Sequence, residues 1–278
     1  TAYELLVGDW SSDVCSPIYA SQQVSVENPQ AAGVRLAGTL TIPPGKGPFP
    51  AVVLISGSGP QDRDETIVDH KPFWVIADYL TRQGFAVLRF DDRGVAKSTG
   101  DFATATSDDF ASDVAALVAF LREHEKLDAS KIALCGHSEG GLIAPMVAAD
   151  DPDIAAIVLL AGTGVNGEQI LLSQARLIMQ ASGVPEAQVA KQAEMQQLMI
   201  DLAKRQPPLE KDGFIAAARV ALQDRLDDQE LTKEQAEQLI AQAAEQLTTP
   251  WFRNFLTYEP SEALSRVTCP TLVLNGEL

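Results

Sequence analysis

The sequence predicts an α/β fold: a mostly parallel sheet with helices on both faces and a long helical block set between two of its strands. Three observations predict it. Continuous apolar runs of strand length recur, as AVVLISG (51–57), FAVLRFD (85–91), KIALCG (131–136) and IAAIVLLAG (154–162). Strands covered on both faces read as such runs rather than as alternating patterns. Helical segments alternate with the runs across short turns, the order that builds a parallel sheet. From Thr163 to Thr249 the strand signal stops, and a buried-strand pattern returns only in TLVLNG (271–276).

The elements follow in chain order. Val24 to Val26 and Val34 to Ile42 alternate apolar and polar, which predicts a hairpin of half-exposed strands. A Pro/Gly-rich connector, 43–50, leads into AVVLISG and then the loop SGPQDRDE. Pro72 fits the first position of a helix, PFWVIADYLTRQ, that Gly84 closes. Ser107 is read as the cap of the next helix, with Asp108 and Asp109 at the positive end of its dipole. Phe110, Val114, Leu117, Val118 and Leu121 share one face of that helix. KIALCG is a strand, GLIAPMVAA a helix and IAAIVLLAG a strand. Within the Ala/Gln/Glu-rich block, Ile170, Gln174, Leu177 and Ile178 share a face, and Thr232 with Gln235 has the capping-box spacing. A short helix, SEALSRV, precedes the last strand.

Composition narrows the function. The 278 residues carry a formal net charge of −17 and no Lys/Arg-rich block, which argues against a nucleic-acid partner. No apolar run reaches membrane-spanning length. Cys15, Cys135 and Cys269 have neither metal spacing nor a pairing pattern. No cofactor or metal is expected, and the compartment is left open.

The chemistry centres on Gly136-His137-Ser138-Glu139-Gly140, a G-x-S-x-G match at a strand-to-helix junction. The turn there must be sharp, and the two glycines let strand and helix close around the serine. Its hydroxyl then stands at a helix N-terminus, where outward N–H groups favour negative charge. A developing oxyanion needs two such donors. The N–H of Glu139 is one candidate, and the N–H of Ser58, in the glycine-rich loop after AVVLISG, is the other.

The stretches LISGSGPQDRDE, HKPFWVIADYLTRQGFAVLRFDDRGVAKSTGDF, GHSEGGLIAP and CPTLVLNGEL resemble the α/β-hydrolase superfamily, in particular serine esterases with a Gly-Ser-Gly-Pro-x-Asp-Arg-Asp loop. The resemblance implies the α/β-hydrolase fold, with core segments 17–162 and 250–278 and a helical cap at 163–249. It implies Ser138 as nucleophile, with backbone donors at Ser58 and Glu139. It also implies a carboxylate just past Leu278 and a histidine one strand later; no histidine follows His137. Glu277 is a weaker substitute for the acid. In the family, Asp91-Asp92-Arg93-Gly94 is mainly structural. Asp62-Arg63-Asp64 could shape the pocket mouth or be a solvated cluster. His137 lines the turn, badly placed to deprotonate its neighbour, and His124 is solvated. His70 is read first as a helix-cap residue and second as a pocket-lining one.

Residues 1–16 resemble a translated adaptor, and the chain stops on the loop after a core strand. Both ends are therefore expected to be unnatural, and these 278 residues alone are expected to be poorly soluble and inactive. The expected activity of the complete protein is hydrolysis of small or medium carboxylic esters, its partner a small-molecule ester. Acyl thioesterase, serine peptidase and a non-catalytic binder on the same fold remain as alternatives.

Overall fold

A computed structural model describes residues 19–223 and 232–276. The segment 1–16 with Cys15, and the candidate acid Glu277, lie outside the described residues. The sheet has seven strands: β1 (Ala20–Glu27), β2 (Arg35–Ile42), β3 (Phe49–Ile55), β4 (Ala86–Phe90), β5 (Leu127–His137), β6 (Ala156–Leu160) and β7 (Thr271–Leu274). Their order is β1-β2-β4-β3-β5-β6-β7. β1 and β2 form the expected hairpin, β2 also runs antiparallel to β4, and every later pairing is parallel.

The apolar runs are continuous because both sheet faces are covered. In β3, Ala51, Val53 and Ile55 enter one core with α2 (Ser107–Arg122) and α3 (Gly140–Asp150). The intervening Val52 and Leu54 enter the opposite core with Phe73 and Ala77 of α1 (Pro72–Arg82). Alternate side chains of a strand point to opposite faces, so two apolar layers demand an unbroken run. Pro72 opens α1 as expected. The expected cap of α2 is corrected: Thr106 holds that position, with its N–H and hydroxyl both 2.9 Å from Asp109 Oδ2. Ser107 is fully buried and points its hydroxyl elsewhere.

From Gly167 the chain is helical through α4 (Gly167–Ala181), α5 (Glu186–Ala203), α6 (Lys211–Ala221) and α7 (Lys233–Leu247), followed by α8 (Pro250–Thr257) and α9 (Pro260–Leu264). Helices α4 to α8 share a core of their own, with Met199, Phe214, Ala218, Ile240 and Phe252 buried together. Thr232 and Gln235 make the expected reciprocal cap, at 3.2 and 2.8 Å. The face of α4 chosen by periodicity turns outward: Leu177 and Ile178 are exposed, while Leu171 and Leu172 pack on the core.

Two arginines, half-buried Arg63 and buried Arg93, tie loops to the rest of the fold. Arg63 lies on Asp91, its Nε 2.9 Å from Oδ1 and its Nη2 2.6 Å from Oδ2. Arg93 reaches both oxygens of Asp113 on α2, at 2.7 and 2.9 Å, and Asp113 also accepts from Asn28 at 2.7 Å. Removing one member of such a pair leaves a charge buried without compensation. Asp113→Ala is therefore expected to lower stability by about 3–5 kcal/mol, read from the midpoint of urea unfolding.

Candidate active site

Ser138 stands between the last residue of β5 and the first of α3, with φ at +51°. A non-glycine residue in this left-handed region is uncommon and is held only by its surroundings. Those surroundings are backbone. A Cβ on Gly136 would fall onto the Gly140 carbonyl, and one on Gly140 onto the Ile55 carbonyl. One on Gly141 would lie 2.5 Å from Gly162 Cα. The Ser138 N–H donates to Leu160 O at 2.9 Å, and its carbonyl accepts from Gly141 N at 3.0 Å. The side chain is partly exposed at the carboxyl edge of the sheet.

The loop after β3 runs beside this turn. The space where Gly57 lacks a Cβ is 3.2 Å from Ser138 Cβ. Two carboxylates pin the loop. Asp92 accepts from Ser56 Oγ at 3.0 Å and from Gln61 N at 2.9 Å, while its own N–H donates to Gln61 O at 3.1 Å. Glu65 Oε1 accepts from Gly57 N at 2.7 Å and lies 2.7 Å from His137 Nδ1. Among the described residues, neither the Ser58 N–H nor the Glu139 N–H has a protein acceptor. Ser58 itself is exposed.

The side chain of Glu139 turns inward. It is 3% exposed, and its Oε1 accepts from Ser107 Oγ and from Trp251 Nε1 of α8, both at 2.7 Å. Trp251 stacks on Phe255, with ring centroids 5.2 Å apart. Phe255 in turn packs against Gly167 at the start of α4. The helical block thus reaches the serine turn through one indole N–H.

Burial decides the ionisation of Glu139 and Asp92, and hydrogen-bond partners decide that of His137 and Asp91. Burial pushes the Glu139 carboxyl above the usual carboxylate range despite side-chain hydrogen bonds from Trp251, Ser107 and Ser58. It pushes Asp92 up to about 7 against its bonds to Gln61 and Ser56. The bond to Glu65 raises the His137 imidazole, with burial opposing. Asp91 is buried too, but its contacts with Arg63 leave its pKa lowered.

The remaining sequence candidates fall in different places. His70 is exposed and pairs with Ile67 in an isolated bridge, while Lys71 takes the cap position of α1, so the reading of His70 as the helix cap is corrected. Asp62-Arg63-Asp64 is bonded rather than solvated. Asp62 accepts from Asp64 N and Thr66 N, Arg63 binds Asp91, and Asp64 pairs with Arg89. The side chains of Glu65, Asp92, Glu139 and Trp251 were not picked out from sequence. Glu65 ends the quoted DRDE stretch, yet no period or spacing marks a carboxylate as facing backbone amides. Among the described residues no His, Cys, Asp and Glu group could hold a metal ion, and no helix is long and apolar enough to cross a membrane.

A family model described as X-Pro dipeptidyl-peptidase (S15 family) matches residues 32–277. Esterase EstD of Thermotoga maritima is 40% identical over 113 residues, which are 41% of this chain and 27% of that protein. An uncharacterized 31.7 kDa protein of Escherichia coli, from the traX-finO intergenic region, is 24% identical over 201 residues, 71% of this chain and 64% of that one. The chain thus spans less than two thirds of either curated relative. The solved structure of DcsB in complex with its substrate analogue superposes with a TM-score of 0.56 over 93% of this chain and 81% of that one, at 19% identity. The fold is the α/β-hydrolase fold.

Asp92 gives the site a measurable pH signature. Its folded pKa is raised to about 7 from an ordinary value of 3.8. Its contribution to stability is therefore fully present below about pH 4 and is lost as pH rises through about 7. Asp92→Asn is expected to flatten the fall in thermal midpoint across that interval, measured by differential scanning calorimetry in buffers from pH 4 to 8.

Proposed function

The chain belongs to the X-Pro dipeptidyl-peptidase (S15) family, and from that premise we propose that it is the serine-bearing core of a hydrolase acting on carboxylic esters of small or medium acyl groups. The observation that carries this reading is the left-handed Ser138, placed beside the loop after β3, where the Cβ position of Gly57 is 3.2 Å from Ser138 Cβ. The hydroxyl oxygen attacks the acyl carbon, and a base takes its proton. The carbonyl oxygen becomes an oxyanion, held by the N–H groups of Ser58 and Glu139. Collapse of this intermediate expels the alcohol, which leaves with the proton, and water then frees the acid by the same two steps.

The chain spans less than two thirds of its curated relatives, so the reading is one for the full-length protein. The helices from α4 to α7 serve as a cap that limits acyl size and excludes water. Support for ester over peptide comes from the relative named as an esterase. The family description favours a second reading, release of X-Pro dipeptides. The same serine turn would serve either substrate, so the acyl donor has to be tested directly.

The complete gene product is expected to hydrolyse p-nitrophenyl acetate and butyrate faster than an acyl-CoA thioester or an X-Pro p-nitroanilide, compared by kcat/KM. Ser138→Ala should lower ester turnover by about 10⁴-fold or more and abolish labelling by a fluorophosphonate. Faster cleavage of the anilide would move the assignment to the peptidase. An unlabelled wild-type protein would make it a binder.

A further inference from the structure

We propose that Glu65 is a positioning residue that fixes the amide-bearing loop against the serine turn; this deepens the serine-hydrolase reading and rests on it. A single oxygen, Oε1, bonds at 2.7 Å to Gly57 N and at 2.7 Å to His137 Nδ1. Gly57 directly precedes Ser58, and His137 directly precedes Ser138. The carboxylate therefore joins the ends of two neighbouring parallel strands, one residue ahead of an oxyanion donor and one residue ahead of the nucleophile. The crowding at this point is tight. The space that a Cβ on Gly57 would occupy is 3.2 Å from Glu65 Oε1, 3.2 Å from Ser138 Cβ and 3.3 Å from His137 Nδ1.

The local chain is built to present this carboxylate. Glu65 is 2% exposed and adopts φ +50°, a strained conformation for a side-chain-bearing residue. Its backbone is fixed from both sides. The Glu65 N–H donates to Asp62 O at 2.9 Å, Asp62 accepts from Thr66 Oγ1 at 2.7 Å, and Arg63 is anchored on Asp91. On the other side, Asp64 O accepts from Phe73 N at 3.2 Å, at the start of α1. Burying a carboxylate is costly unless its oxygens are bonded, and an apolar side chain would fill this space at less cost. What the carboxylate adds is an acceptor for a loop amide that has no strand partner. Without that acceptor, Gly57 N–H must find another and the peptide leading into Ser58 is free to rotate. The donor would then be misaimed without any loss of the nucleophile.

The test compares variants of the complete gene product on p-nitrophenyl butyrate, with phenylboronic acid as a probe that forms a tetrahedral adduct. Glu65→Ala is expected to lower kcat by about 10²-fold, as loss of one oxyanion donor does, with KM within about threefold, the split expected when an interaction is made only in the transition state. Boronate affinity should fall with kcat, while Ser138 still labels with a fluorophosphonate. Glu65→Gln, which keeps the acceptor oxygen, should recover most of the loss. Should the alanine variant fail to fold, His137→Leu and His137→Asn serve instead. Leucine removes the second partner of Glu65 and should lower kcat, whereas asparagine sets an N–H near the Nδ1 position and should restore it. The proposal is overturned if Glu65→Ala keeps wild-type kcat, if glutamine recovers nothing in a protein of wild-type thermal midpoint, or if both His137 variants match wild type. A wild-type protein that does not label at Ser138 removes the serine-hydrolase reading itself; a labelled protein indifferent to these substitutions removes only the role of Glu65.

Discussion

The close approach of backbone to backbone around residue 138 is the constraint on which the rest depends. β5 ends and α3 begins within a space so small that Gly136, Gly140 and Gly141 meet main-chain atoms of neighbouring segments. Strand and helix cannot separate, because α3 is apolar all round and its residues Gly140 to Ala148 are all buried. The reversal is therefore forced onto Ser138, whose left-handed φ is the result. Strain of this kind costs on the order of 1–3 kcal/mol and persists only where packing overrides it. Here the packing is supplied by the parallel sheet itself, through Ile55 of β3, Leu160 of β6 and Gly162 just beyond it.

A sharp turn at a sheet edge creates a second problem. The segments that leave β3 and β5 lose their ladder partners, and their amides must find acceptors or water. The protein meets this with carboxylates placed beneath the edge. Asp92 takes Gln61 N, Glu65 takes Gly57 N, and Asp91 takes both Arg63 N and Lys97 N. All three carboxylates are themselves buried. The amides of Ser58 and Glu139 have no protein acceptor among the described residues, and under the proposed function they are the donors that an anion at the serine would meet.

This division explains what could be read from sequence. Strands and sheet class were legible because two-sided burial forces unbroken apolar runs at 51–57, 85–91 and 154–162. The serine turn was legible because only glycine tolerates the contacts at 136 and 140. The capping box at Thr232 was legible because its geometry is local. The cap of α2 was misplaced by one residue: Ser107 and Thr106 are both good caps, and the distant acceptor Glu139 decides between them. The periodic stripe of α4 misleads because α4 packs on α5 and α8 through Leu171 and Leu172 instead. Glu65 stayed hidden because its partners lie 8 and 72 residues away and belong to other elements. A carboxylate facing amides leaves no mark on period or composition.

The carboxylates raise a charge problem that the structure also answers. Under the proposed function the site would stabilise negative charge, yet Glu65, Asp91, Asp92 and Glu139 lie around it in a chain of net charge −17. At an effective dielectric of about 20, a carboxylate about 6 Å from an oxyanion would oppose it by about 3 kcal/mol. Each group is handled so that this opposition is reduced. Burial favours the protonated form of Glu139 and raises the Asp92 pKa to about 7, so that at neutral pH it carries about half a charge. Asp91 keeps its charge but is covered by the Arg63 guanidinium. Glu65 faces His137, whose imidazole it draws toward the protonated state. The acidic residues thus serve as hydrogen-bond acceptors for the loop while little of their charge is left to face the serine. Organising amides with carboxylates is compatible with oxyanion chemistry only under that condition, and the burial of these side chains provides it.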